Sequence, residues 1–99
     1  MLYAIVGTDA PQAGAARAAA RDDHLARLKR LGAEGRLVAA GPFPAADSED
    51  IAATGVTGSL ILAEFDCLES ATAWAQADPY RAAGVYAEVM VKPFLKVLP

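Results

Sequence analysis

Two ionisable residues in separate helical stretches have the types and placement for acid/base chemistry: His24 and Asp78. His24 is the sole histidine among 99 residues, and imidazole is the side chain that ordinarily exchanges a proton near neutral pH. It lies in Arg21-Asp22-Asp23-His24-Leu25-Ala26-Arg27-Leu28-Lys29-Arg30-Leu31, which reads as a helix. At 100° per residue, Leu28 falls about 40° to one side of His24 and Leu31 about 20° to the other. The imidazole therefore points with the apolar stripe, toward the core. An inward imidazole needs a polar partner, because an unpaired buried polar group is costly. Asp78 follows a second helical pattern, Leu68 to Ala77, whose apolar face is Leu68, Ala71, Trp74 and Ala75. On that wheel Asp78 falls about 20° from Ala71 and also points inward. Pro79 then ends the helix, since the residue before a proline avoids helical backbone angles.

An aspartate that accepts a hydrogen bond from one ring nitrogen fixes the histidine tautomer and leaves the other nitrogen free for a substrate or a water. A general base so placed contributes about 10²–10⁴-fold in rate. Each residue also has a purely architectural reading. His24 can be a core histidine bonded to a backbone carbonyl, and Asp78 an N-cap for a turn that starts at Pro79. A carboxylate has two oxygens, so capping and pairing are compatible. Ser59, directly after Gly58, can donate to substrate or to His24, or be a plain strand-edge hydroxyl. No Gly-x-Ser-x-Gly elbow marks it as a nucleophile. Arg21, one turn before His24, suits a substrate carboxylate or simply an exposed helix face. Tyr80 reads more as packing than as a donor, and Cys67 more as a small buried filler than as a nucleophile. One histidine and no carboxylates at ligand spacing speak against a metal. No Walker loop, dinucleotide fingerprint or haem motif occurs, so the chemistry reads as cofactor-free.

The elements that must position these residues can be read from periodicity and punctuation. A strand covers Leu2 to Gly7, a helix Ala13 to Glu34, and a strand Arg36 to Ala40, stopped by Gly41-Pro42. A long loop, Phe43 to Thr57, is expected to wall the site or reach a partner chain, because loops of this length tend to be functional. A strand then covers Ser59 to Phe65, a helix Leu68 to Ala77, a short turn Pro79 to Ala83, and a last strand Val85 to Val97, bent at Pro93. The order β-α-β-β-α-β predicts an α+β, ferredoxin-like fold: a four-stranded antiparallel sheet with two helices on one face.

Composition bounds the rest. Ninety-nine residues make one domain, residues 1–99. Alanine supplies 24 residues, whereas Leu, Ile, Val and Phe together supply 23, a thin core for a monomer. A net charge of −3 and a pI near 4.9 argue against nucleic acid and anionic membranes as partners. Arg27, Lys29 and Arg30 read as a solvated helix face. The chain shows no secretory n-region and no apolar run long enough for a bilayer. A single cysteine suits a reducing cytoplasm. The strands are apolar on both sides: Leu2, Ala4 and Val6 oppose Tyr3 and Ile5, Leu60 and Leu62 oppose Ile61, Ala63 and Phe65, and Val89 and Val91 oppose Met90. Two helices cover one face only. A second copy of the sheet is the simplest cover for the other, which predicts a homodimer through the helix-free face.

Read together, these residues resemble a known family. Arg21 with His24-Leu25, Glu34-Gly35-Arg36-Leu37, Ala40-Gly41-Pro42 and Gly58-Ser59 match the YciI-like (YCII-related) proteins. So do Ala63-Glu64-Phe65, Trp74-Ala75, Ala77-Asp78-Pro79-Tyr80, Ala83-Gly84-Val85-Tyr86 and Val91-Lys92-Pro93-Phe94, in register from Leu2 to about Val97. The resemblance implies a dimeric α+β barrel and an acid/base pair at His24 and Asp78. Wider relatives include lyases, isomerases and oxygenases of small cyclic compounds. Two functions follow as expectations. One is a small cofactor-free enzyme, of lyase, isomerase or hydrolase type, in which Ser59, Arg21 and Tyr80 hold a small organic acid or ring compound. The other is a non-catalytic dimeric binding or accessory module. An open cavity at His24 favours the first.

Overall fold

The structure, a computed structural model, spans Met1–Pro99. Its elements are β1 (Leu2–Asp9), α1 (Gly14–Ala33), β2 (Leu37–Pro44), α2 (Ile51–Thr54), β3 (Val56–Glu64), α3 (Leu68–Gln76), α4 (Pro79–Ala82) and β4 (Tyr86–Phe94). The four strands form one antiparallel sheet in the order β2-β3-β1-β4, the ferredoxin-like arrangement. Register sets the faces. Ile5 lies opposite Ile61 on one side and Val91 on the other, whereas Val6 lies opposite Leu60 and Met90. The Ile5 row packs under α1 and α3 with Tyr3, Leu28, Leu31, Ala63, Phe65, Ala71 and Ala75. The Val6 row faces away from the helices and is open, with Met90 46% exposed and Phe94 40% exposed.

A second, smaller core joins Ala13, Tyr80, Val85 and Tyr86, with Ala16 and Ala20 against it. The halves of α1 thus serve different clusters: alanines pack on the tyrosines, leucines on the sheet. His24 sits where the two halves meet. Close backbone approach makes this end of the sheet compact. A Cβ on Gly7 would run into the Tyr86 ring, and one on Gly58 into the Gly7 carbonyl.

The strands depart from the expected boundaries for a reason of position. β2 runs through Pro42 to Pro44 instead of stopping at Gly41-Pro42, and β4 carries Pro93. Both are outer strands, where a missing N–H can face solvent. β3 begins at Val56, so the expected loop reduces to residues 45–50 and the short α2, which Asp50 caps by accepting from the Ala53 N–H at 3.3 Å. β4 ends at Phe94, opposite Leu2, because the sheet offers no partner beyond that pair. Leu95, Val97 and Leu98 follow exposed.

Two side chains also differ from expectation. Cys67 is exposed, not buried. It caps α3, its Sγ accepting from the Ser70 N–H at 3.4 Å while Ser70 Oγ accepts from the Cys67 N–H at 3.2 Å. These Ser70 contacts hold the thiol below its ordinary pKa. Arg27 is not on a solvated face. Its guanidinium lies 4.1 Å from the Trp74 ring centroid and donates to the Trp74 carbonyl at 2.8 Å, clamping α1 to α3.

Candidate active site

α1 and α4 bring His24 and Asp78 together. His24 Nδ1 lies 2.9 Å from both Oδ1 and Oδ2 of Asp78, and both side chains are almost completely buried. Asp78 points inward for a different reason from the one its helical phase suggests. It lies outside α3, in extended backbone at φ −60° and ψ 132°, as the N-cap of α4, with Oδ1 also accepting the Tyr80 N–H at 2.9 Å. Pro79 at the first helical position fixes that geometry. One carboxylate therefore caps a helix and holds an imidazole.

The pairing assigns the tautomer. An ionised carboxylate only accepts, so Nδ1 carries a proton, and in the neutral imidazole Nε2 then keeps a free lone pair. Nε2 has no protein partner and is not sealed from solvent. The ring stacks on Tyr80 with centroids 3.9 Å apart and planes 9° from parallel, and Tyr86 meets both rings edge-on. Tyr80 packs against the imidazole, and burial raises its pKa.

His24 borders a cavity of about 330 Å³. Ser59, Arg21 and Tyr80 line it too, as do Leu28 and Ile61. Asp78 stands behind the imidazole. From the segment expected to wall the site, Ile51 and Val56 contribute. Arg21 is exposed at the rim and makes no hydrogen bond in the chain. The internal cation is Arg17. Its Nε and Nη2 donate to Asp9 at 2.9 and 3.1 Å, and Nη2 also donates to Ser59 Oγ at 2.7 Å. Burial works against the Arg17 charge, and the Asp9 carboxylate more than offsets it, so the pKa is raised. Sequence reading missed Arg17 and Asp9. The available signal was spacing: Arg17 precedes His24 by seven residues, two helical turns, on the same face. No three His, Cys, Asp or Glu side chains gather closely enough to hold a metal ion.

The Tyr86 hydroxyl lies near Ser59 yet makes no hydrogen bond of acceptable geometry. Burial pushes its pKa up to about 12. An unfolded tyrosine ionises near 10, so the folded chain holds this proton more tightly. The resulting stability is intact below about pH 10 and is lost as pH rises toward 12, by at most about 1.4 kcal/mol per pH unit. In urea melts, Tyr86→Phe is expected to leave stability at pH 7 unchanged or raise it by about 1 kcal/mol, since an unsatisfied hydroxyl is removed, and to flatten the decline above pH 10. A loss of more than about 1 kcal/mol at pH 7 would reveal a partner for that hydroxyl.

Known proteins match along nearly the whole chain. It is 57% identical over 97 residues to protein YciI of Escherichia coli O6:H1, covering 98% of this chain and 99% of that one. An uncharacterised protein of Haemophilus influenzae is 53% identical over the same coverage. The fold superimposes on 5-chloro-2-hydroxyhydroquinone dehydrochlorinase (TftG) of Burkholderia phenoliruptrix AC1100, in complex with 2,5-dihydroxybenzoquinone. The TM-score is 0.84 and the identity 26%, over 96% of this chain and 94% of that one. The YCII-related domain matches residues 1–95, and with these relatives it places the chain in the YCII-related family.

Proposed function

We propose that this chain is a small acid/base enzyme acting on a small organic acid or ring compound by elimination, isomerisation or hydrolysis, without a cofactor. His24 Nε2 moves the proton, Asp78 fixes the tautomer behind it, and Ser59, Arg21 and Tyr80 border the substrate. The observation that carries this reading is the paired geometry: Nδ1 clamped by both oxygens of a buried carboxylate, on an imidazole that lines a cavity of about 330 Å³. That volume lies at the low end for ligand sites and suits a molecule of one ring. The dehydrochlorinase neighbour and its quinone ligand support the substrate class. The working form is a cytoplasmic homodimer in which a second copy covers the helix-free sheet face.

The test is a panel of small phenols, quinones and ring carboxylic acids, screened by thermal shift and followed by nuclear magnetic resonance for turnover, on wild type and His24→Ala together. Turnover of one compound by wild type and not by the variant is expected. A compound that stabilises both proteins equally and is never converted points instead to a binding module.

A further inference from the structure

We propose that Ser59 is a one-way hydrogen-bond donor into the cavity, held so by Arg17, and that it receives the oxygen on which charge develops when His24 deprotonates a ring substrate at a saturated carbon beside a carbonyl. This rests on the acid/base reading of His24 and names the group that works opposite it.

The orientation of the Ser59 hydroxyl follows from counting its partners. Oγ accepts from Arg17 Nη2 at 2.7 Å. A guanidinium is always charged and only donates, so this contact always uses a lone pair of Oγ. The Ser59 proton is given to no protein acceptor: the Tyr86 hydroxyl makes no acceptable hydrogen bond, and Asp9 is occupied by Nε and Nη2 of Arg17. Ser59 is 4% exposed, and it lines the same cavity as His24. Its proton is thus available to that cavity. The same contact disfavours Ser59 as a nucleophile, since its lone pair is drawn toward a cation and no base touches it. Arg17 acts through Ser59 and is a positioning residue. Asp9 fixes the guanidinium on two nitrogens, and the Tyr80 ring lies 4.8 Å beneath it.

The substrate class follows from the shape and charge of the lining. Leu28 and Ile61 give apolar walls, and the His24–Tyr80 pair gives a flat one. Arg17 is neutralised by Asp9, which leaves Arg21 at the rim as the one unpaired cation of the lining. A small hydroxylated ring ketone with a saturated C–H beside the carbonyl and at most one or two acidic hydroxyls matches this arrangement. In the step, the C–H bond beside the carbonyl breaks and an N–H bond forms at Nε2. The C–H pair becomes a C=C bond, and the carbonyl π pair moves to the oxygen held by Ser59. The pair then returns to re-form the carbonyl. The new C=C pair either moves in conjugation with a second ring C=C bond, whose far carbon takes the proton from the imidazolium, or forms a C=C bond to the neighbouring carbon and expels an anion from it. In the second case the imidazolium proton leaves to solvent. A preorganised donor aimed at developing charge is the most effective aid such a step can receive.

The probe is 2,5-dihydroxybenzoquinone, titrated by its visible absorption into wild type, Ser59→Ala, Ser59→Thr, Arg17→Lys and the double variant Ser59→Ala/Arg17→Lys. Circular dichroism checks each fold. Lysine keeps a positive partner for Asp9 and loses the planar fork that bridges Asp9 and Ser59. Ser59→Ala is expected to weaken binding about 10–100-fold, and Ser59→Thr, which keeps the hydroxyl, by less than about threefold. Arg17→Lys should weaken it about tenfold, and the double variant no further than Ser59→Ala alone, because the two residues act as one unit. Should threonine not fold at this buried position, the coupling between the two other substitutions decides. Additive losses, Ser59→Ala binding like wild type, or no binding to wild type at millimolar probe would each overturn the inference. The acid/base reading is judged apart, by the turnover of His24→Ala. If that variant loses turnover while Ser59→Ala binds normally, only the donor falls. If His24→Ala turns over like wild type, the deprotonation step falls with it.

Discussion

Replacing Asp78 with alanine is expected to destabilise the chain by about 2–4 kcal/mol, whereas asparagine retains the fold and loses the chemistry. The larger loss is a sum of two jobs. The alanine variant gives up the cap on α4, worth about 1 kcal/mol, and leaves the His24 Nδ1–H buried without an acceptor, worth about 1–3 kcal/mol. Against a typical domain stability of about 5–15 kcal/mol, that is a large fraction. Asparagine still accepts from the Tyr80 N–H through its amide oxygen, so urea melts should show a loss of no more than about 1–2 kcal/mol. It has one acceptor where the carboxylate has two, and its NH₂ can donate to Nδ1 and shift the ring proton to Nε2. A ring protonated at Nε2 is no base for the cavity. Turnover of the substrate found in the panel should fall about 10²–10⁴-fold. The ¹⁵N shifts of the single imidazole report the tautomer without any substrate and without overlap. Wild type should show a protonated Nδ1 and an unprotonated Nε2, and Asp78→Asn a change in that assignment. Equal activity in wild type and Asp78→Asn would remove Asp78 from the mechanism and leave it as a helix cap.

Val6→Asp is expected to convert the protein from dimer to monomer. Val6 lies at the centre of the helix-free face, on an inner strand, with Leu60 and Met90 opposite it on either side. Only 18 of 99 residues are buried in the single chain, and the open row of Leu2, Ala4, Val6, Leu60 and Leu62 has no cover of its own. An interface over this face is expected in the obligate range, above about 2,000 Å² in total. A carboxylate buried there without a partner costs several kcal/mol. Sedimentation should show wild type at twice the 10.2 kDa chain mass and the variant at the chain mass. Wild type sedimenting as a monomer at micromolar concentration would overturn the dimer.

What was legible in the sequence followed from local rules. His24 points inward because helical phase alone decides it, and the sheet order follows from the succession of strands and helices. Asp78 was read inward from the phase of a helix that ends before it, so its direction was right and its cause was not: cap geometry, not phase, aims the carboxylate. The prolines at 42 and 93 read as a stop and a bend because a central strand cannot use them. Which strands are outermost is a tertiary fact that local punctuation does not carry. Arg17 was hidden in an alanine-rich stretch, although its spacing to His24 marked it. Cys67 and Arg27 escaped for a shared reason. Their environments are made by neighbours, Ser70 through a helix start and Trp74 through a second helix, and residue type alone favours burial for the first and solvent for the second.

The prolines have a consequence beyond strand length. The outer strands of the sheet are β2, with Pro42 and Pro44, and β4, with Pro93. An exposed strand edge is a template on which further chains can add without limit, the route to fibrils. Each proline withholds one of the N–H groups such addition requires. Lateral growth is therefore obstructed at both rims of the sheet. The remaining apolar surface is the flat side, where the proposed pairing of two copies would close the assembly. A chain with so little interior of its own can expose an apolar sheet at synthesis and still assemble to a finite size.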